Sequence, residues 1–294
     1  MPQVLLLALF LTIFQRACAQ DPHVYDLESP QQSWVLPATL NEISGLTWDP
    51  TGQFLLTVQD ELGVVYFIDP HTGAIAREVP FWNEGDYEGI ETVGDEVYVL
   101  KNTGTLYRII GIGTPEQEVI KYNGFLSDDY NLEGLAYDAA GNRLLLACKA
   151  DPEEKPQRFI FAFDLAGHTF GQEPVLRIER AAFDQLLAER PTGLHHKFYE
   201  RFAPEEEELD FHPSALAIHP LTGNYYVASG NGRMLMIMEP NGRILDLIRL
   251  DKDFLRQLEG ICFAPDGTIY LSSERKDDDP AVIHVYPYLT RERP

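Results

Sequence analysis

Cysteine is scarce: only Cys18, Cys148 and Cys262 occur in 294 residues, the last two inside apolar runs. That excludes a disulfide framework and leaves Cys148 and Cys262 as small buried hydrophobes. Basic residues are also few, 23 Lys and Arg against 46 Asp and Glu, for a formal net charge of −23. Nucleic acid is recognised through clustered Lys and Arg, so that class of partner is excluded, whereas cations or a basic partner suit the sign. Beyond an N-terminal run, nothing approaches the roughly 18 apolar residues that a membrane-spanning helix needs. There is no Gly-x-Ser-x-Gly nucleophile elbow. His and Cys are nowhere concentrated enough for zinc, and His195 and His196, being adjacent, are poorly placed to converge on one ion.

The apolar run at the start, Val4–Phe14, has 11 residues and is followed by Ala17, Cys18 and Ala19. It reads as a secretory signal over residues 1–19 with small residues at its cleavage site. Cys18 offers an alternative, a lipid-anchored cysteine, although Gln15 and Arg16 suit a lipidation motif poorly. Either reading exports the protein, to the periplasm or cell envelope, with residues 20–294 as the mature chain.

That mature chain is a repeat. Related segments start at Ser44, Glu88, Glu133, Ser214 and Glu259, so the intervals are 44, 45, 81 and 45 residues. Each has a short apolar strand, a Pro- or Gly-bearing turn and a second strand. A unit of about 45 residues with four short strands is the signature of a propeller blade. The spacing predicts an all-β fold: a five-bladed β-propeller, with one helical and acidic insertion at about residues 179–210 between the third and fourth blades. Inside the insertion, residues 181–190 have helical periodicity and Pro191 to stop them, and Glu205–Glu208 reads as a solvated charge run. In the third blade the outer strand is expected at Glu173–Ile178. The fifth blade lacks its outer strand, which Tyr25–Pro37 is expected to supply by pairing with Ile283–Tyr286. That would close the ring and remove exposed edges. A monomer is expected.

The register also selects a face. The start of each inner strand and the end of each second strand share one mouth of the channel, which collects Asp60, Glu88, Glu133, Glu259 and Glu274. The loops entering the inner strands add Glu42, Glu84, Asp86, Asp128, Asp129, Asp210 and Asp253. Carboxylates at that density repel, which raises their pKa values or recruits a cation. Calcium is the expected ion, being hard and content with oxygen ligands. Asp60, Glu88, Glu259 and Glu274 are expected to approach it from adjoining blades, with Lys101 absorbing excess charge. The bland alternative is that Glu88, Glu133 and Glu259 pair with Lys101 and Lys149 or accept backbone N–H groups, and bind no ion.

Over residues 34–288 the chain resembles the SdiA-regulated, YjiK-like family of exported bacterial β-propellers. The resemblance is carried by Glu42-Ile43-Ser44-Gly45-Leu46, Gln59-Asp60-Glu61, Glu88-Gly89-Ile90, Leu132-Glu133-Gly134-Leu135, Pro213-Ser214-Ala215-Leu216 and Leu258-Glu259-Gly260-Ile261 with Ser273-Glu274. It implies a five-bladed propeller, envelope or periplasmic placement, a calcium site and no established catalysis. The acidic insertion and the lack of a membrane anchor after the signal depart from the pattern. The functional expectation is a calcium-binding module that engages a small-molecule or protein ligand at an acidic channel mouth. A calcium-dependent hydrolase using a metal-bound water at the same mouth is the alternative.

Overall fold

In the computed structural model, residues 25–153, 155–203 and 209–289 are described. Five antiparallel sheets stand in a ring, with inner strands Ile43–Trp48, Tyr87–Val93, Leu132–Asp138, Ala215–Ile218 and Leu258–Phe263. Each inner strand packs against the inner strands of both neighbouring blades, and the fifth returns to the first. The fold is therefore an all-β, five-bladed propeller. Its core is divided into five wedges, each filled from two adjacent blades. A second strand lies between two wedges and is apolar on both faces, as in the wholly buried Leu55–Gln59 and Tyr225–Ser229. This is why such strands read as continuous apolar runs rather than alternating ones.

The glycine of the repeat has a steric reason. A Cβ on Gly89 would stand 2.8 Å from the Leu135 Cβ of the next blade, and one on Gly134 would stand 2.9 Å from the Leu216 Cβ of the blade after it. Inner strands approach so closely that only hydrogen fits there.

Before the first blade, Gln32–Val35 runs antiparallel beside Val282–Tyr286, with Trp34 opposite Ile283. Upstream, the Tyr25 hydroxyl donates to the Gly267 carbonyl at 2.5 Å and lies 2.9 Å from His219 Nε2. The His219 Nδ1 accepts from the Leu221 and Thr222 amides. The ring is thus neutral with its proton on Nε2, and burial pushes its pKa down to about 4.

Blade three differs from the expected single outer strand. Two pieces, Thr169–Phe170 and Leu176–Glu179, pair in turn with Gln157–Asp164. Between them lie Gly171 and Pro174, and proline has no N–H to give the ladder. The chain then enters helix α1 (Arg180–Glu189), which buries Phe183 and Leu186, and α2 (His196–Arg201), which buries Phe198. Both helices fill the wedge between blades three and four. His195 caps α2, its Nδ1 accepting from the Lys197 amide at 3.2 Å. The expected signal segment at 1–19 and the charge run Glu205–Glu208 lie outside the described residues. Among the described residues, no helix is long and apolar enough to cross a membrane, and Cys148 and Cys262 are buried and free.

Candidate channel-mouth site

Glu88, Glu133 and Glu259 owe their positions to interruptions of the ladder. Tyr87 pairs with Lys101 and Gly89 with Leu100, so Glu88 is the extra residue of a bulge. The same skip falls at Glu133, between Leu132 and Gly134, and at Glu259, between Leu258 and Gly260. A bulge re-aims the side chain it carries. Three blades therefore each contribute one glutamate to the mouth. A belt of backbone hydrogen bonds locks these blade edges together. Tyr87 donates to the Asp60 carbonyl at 3.0 Å, Leu132 to that of Asn102 at 2.9 Å and Arg275 to that of Asn41 at 2.7 Å.

Within the mouth the first group centres on Lys149, whose Nζ is 2.7 Å from Glu133 Oε1. Asn131 Nδ2 donates to the same oxygen at 3.2 Å, and Glu133 Oε2 is buried without a partner. Burial raises the Glu133 carboxyl while Lys149 pulls it back, with a net rise. Burial also works against the Lys149 ammonium, yet Glu133, Glu259 and Glu88 together hold it above the ordinary lysine value. Glu88 is pushed up to about 9 by burial, then by Glu133 and Asp86. Glu259 rises well above the carboxylate range through burial and then the Glu133 charge. Lys101, expected to supply this positive charge, forms no ion pair among the described residues. It stands one position earlier in its strand than Lys149 does, opposite Tyr87 where Cys148 stands opposite Leu132. A one-residue step sends its side chain to the other face.

Blades one, two and five supply the second group, whose carboxylates form no ion pair among the described residues, although Lys149 and Lys276 act on Glu274 from a distance. Glu42 and Asp86 crowd Asp60 with like charge, and Glu133 and Asp86 crowd Glu88. Asn102 Nδ2 donates to Asp86 Oδ2. Asp60 Oδ1 and Asn102 Oδ1 are buried with no partner. Burial, then Glu42 and Asp86, raises Asp60 to about 6; burial, then Asp60 and Glu42, raises Glu274 to about 7. Gln257 Nε2 donates to Glu274 Oε1. The donor set is oxygen alone, the chemistry of a hard cation. Among the described residues, no three Asp, Glu, His or Cys side chains stand at the spacing of a ready-made metal site.

The five acids singled out from sequence all face this mouth, but in two groups rather than one. Glu133 and Glu259 sit with Lys149, Asp60 and Glu274 belong to the second group, and Glu88 neighbours both. Asn131 and Gln257, which steady Glu133 and Glu274, were not foreseen, because an amide in a loop gives no signal of its partner. The acidity expected all round the mouth is also confined. On the side of blades four and five, Asp210, Asp253 and Asp279 are paired with Arg201, Lys252 and Arg256.

Two solved structures are similar to this chain. Myxococcus xanthus glutaminyl cyclase is 16% identical, with a TM-score of 0.55 over 89% of this chain and 97% of that one. The PQQ-bound aldose sugar dehydrogenase of Streptomyces coelicolor is 14% identical, with a TM-score of 0.48 over 88% and 99%. At such identity the first likeness speaks for the fold and not for the chemistry. Sequence similarity is more specific: residues 25–276 match the family described as SdiA-regulated. With the repeat glutamates and the bulges that carry them inside that span, which covers most of the chain, the chain belongs to the SdiA-regulated family.

Proposed function

We propose that the protein is an exported binding module whose channel mouth holds a calcium ion in the second acidic group. The observation that carries this is a pair of buried, partnerless oxygens, Asp60 Oδ1 and Asn102 Oδ1, among carboxylates crowded by like charge, Asp60 by Glu42 and Asp86, and Glu88 by Asp86. Carboxylates so placed need a proton or a cation between them. Asp60, Glu42, Asp86 and the Asn102 carbonyl oxygen would hold the ion, with Glu88 or Glu274 completing the charge. Calcium there would neutralise the acids and tie blades one, two and five together. Lys149 already serves Glu133 and Glu259, which leaves those two the weaker candidates.

A ligand that binds only the folded state stabilises it by about 2.7 kcal/mol at a hundredfold excess over Kd. For a chain of this length that raises the melting temperature by roughly 3–6 °C. The check is a thermal melt with calcium against one with chelator, repeated with Asp60→Asn and Glu88→Gln. The shift is expected in the parent and lost in Asp60→Asn. Equal melts of the parent with and without calcium would overturn the site, and a shift that survives both substitutions would move it elsewhere.

A further inference from the structure

The other half of the mouth carries the opposite charge. Between blades four and five lies a cavity of about 520 Å³, within the roughly 300–1,000 Å³ of small-molecule sites. Lys149, Arg233, Lys252, Arg256 and Lys276 line it against only two acids, Glu259 and Asp277. A chain with a net charge of −23 thus concentrates five cations in one hollow.

Two of those cations are uncommitted. Arg233 forms no ion pair among the described residues, and its Nε is buried without a partner. Lys276 donates to the neutral Gln257 Oε1 at 2.8 Å and forms no ion pair among the described residues, though its charge reaches Glu274. Next door, burial and then the charges of Arg233 and Arg201 push Arg249 below the usual arginine value. Of these three guanidiniums, Arg201 is paired with Asp210, and Arg233 and Arg249 form no ion pair among the described residues.

The backbone is held in an uncommon form to present these groups. Arg233 and Asp277 have φ of 53° and 54°, a left-handed conformation that non-glycine residues seldom adopt and that clusters at ligand sites. The Ser214 hydroxyl fixes the cavity floor, accepting from the Gly230 amide at 3.1 Å and donating to the Leu258 carbonyl at 2.6 Å.

We propose that this cavity binds a small organic molecule with a doubly negative oxyanion head, a phosphate ester or a dicarboxylate. Arg233 offers the planar fork that grips two oxygens, Lys276 and Lys252 add point charges from neighbouring loops, and the remaining volume takes the uncharged body. The inference is independent of the calcium reading, because neither Asp60 nor Glu42 lines the cavity.

The test is calorimetric titration of the described chain, stripped of divalent ions, with glucose 6-phosphate, succinate and glucose. One charged probe is expected to bind one-to-one and glucose not at all. Glucose 6-phosphate binding would assign the phosphate ester, and succinate binding the dicarboxylate. Arg233→Asn, chosen because asparagine tolerates the left-handed backbone, and Lys276→Gln should each weaken binding by about tenfold. If Arg233→Asn melts early, the exposed Lys276→Gln decides alone. Failure of both charged probes to bind at up to about 10 mM, equal binding of glucose, or affinity unchanged in Lys276→Gln would overturn the proposal. Because no calcium is present, none of these outcomes depends on the cation site.

Discussion

Lys149 is the residue on which the mouth's electrostatics turn. It stands in the field of Glu88, Glu133 and Glu259, and its contribution depends on those acids being charged. Below their unfolded values near 4.5 they are neutral in either state and the lysine gains nothing. As pH rises, the unfolded chain ionises first, while the folded acids, Glu88 at about 9 among them, stay protonated longer. Folded-state stability is therefore lost as pH rises through that window, and Lys149 limits the loss. Lys149→Met should melt close to the parent at pH 5 and well below it at pH 8. The expected deficit is about 2–3 kcal/mol, below the figure for a fully buried pair because the lysine side chain is 36% exposed. Melts of equal deficit at both pH values would show that the lysine acts through packing. Both Lys101 and Lys149 were visible in the sequence as candidate partners. What separated them was strand register, which places their side chains on opposite faces.

At the scale of the element, the inner strand's Glu-Gly pair does two jobs at adjacent positions. The glutamate bulges out of the ladder toward the mouth, and the glycine lets the next blade's inner strand approach. Gly89→Ala should destabilise the protein by about 1–3 kcal/mol, the usual penalty of overpacking, since its Cβ would meet Leu135 at 2.8 Å. Gly171→Ala, whose nearest neighbour would be the Ala162 carbonyl at 3.5 Å, is the control and should be close to neutral. Denaturant titration of the two variants makes the comparison, and equal costs would refute the close-approach account. The pair was legible as a repeat, but its bulge was not, because bulging depends on which residue of the second strand each position faces. The split outer strand of blade three was missed as well. Its first piece, Thr169–Phe170, is only two residues long, too short for an alternation to show, and Gly171–Pro174 divides it from the second.

Over the whole molecule, the ring closes through a strand from the other end of the chain. Gln32–Val35 covers the edge of Val282–Tyr286, and Tyr25, Trp34 and Leu36 are buried with it. Removing residues through Pro37 exposes that edge and forfeits about 2 kcal/mol for each large apolar side chain. A fall in melting temperature on the order of 10 °C is expected for a chain this long. A truncated protein that melts with the parent would show that the ring does not need this strand. Charge is also organised at this scale: an acidic sector on blades one and two faces a basic one between blades four and five, which the net charge of the sequence conceals.

The five-fold repeat, the blade length, the acidic mouth column and the lack of a disulfide framework were determined by the sequence alone. Each follows from local periodicity and composition, which survive without coordinates. Only the tertiary structure decided that Lys149 rather than Lys101 stands among the glutamates, that Asp60 meets Glu42, and that Arg233 and Lys276 share a cavity. Lys149 with Glu88 and Glu259, and Arg233 with Lys276, join different blades up to more than a hundred residues apart, while Asp60 and Glu42 meet across two strands of the first blade. Their distances depend on how the wedges pack, and no spacing along the chain encodes that.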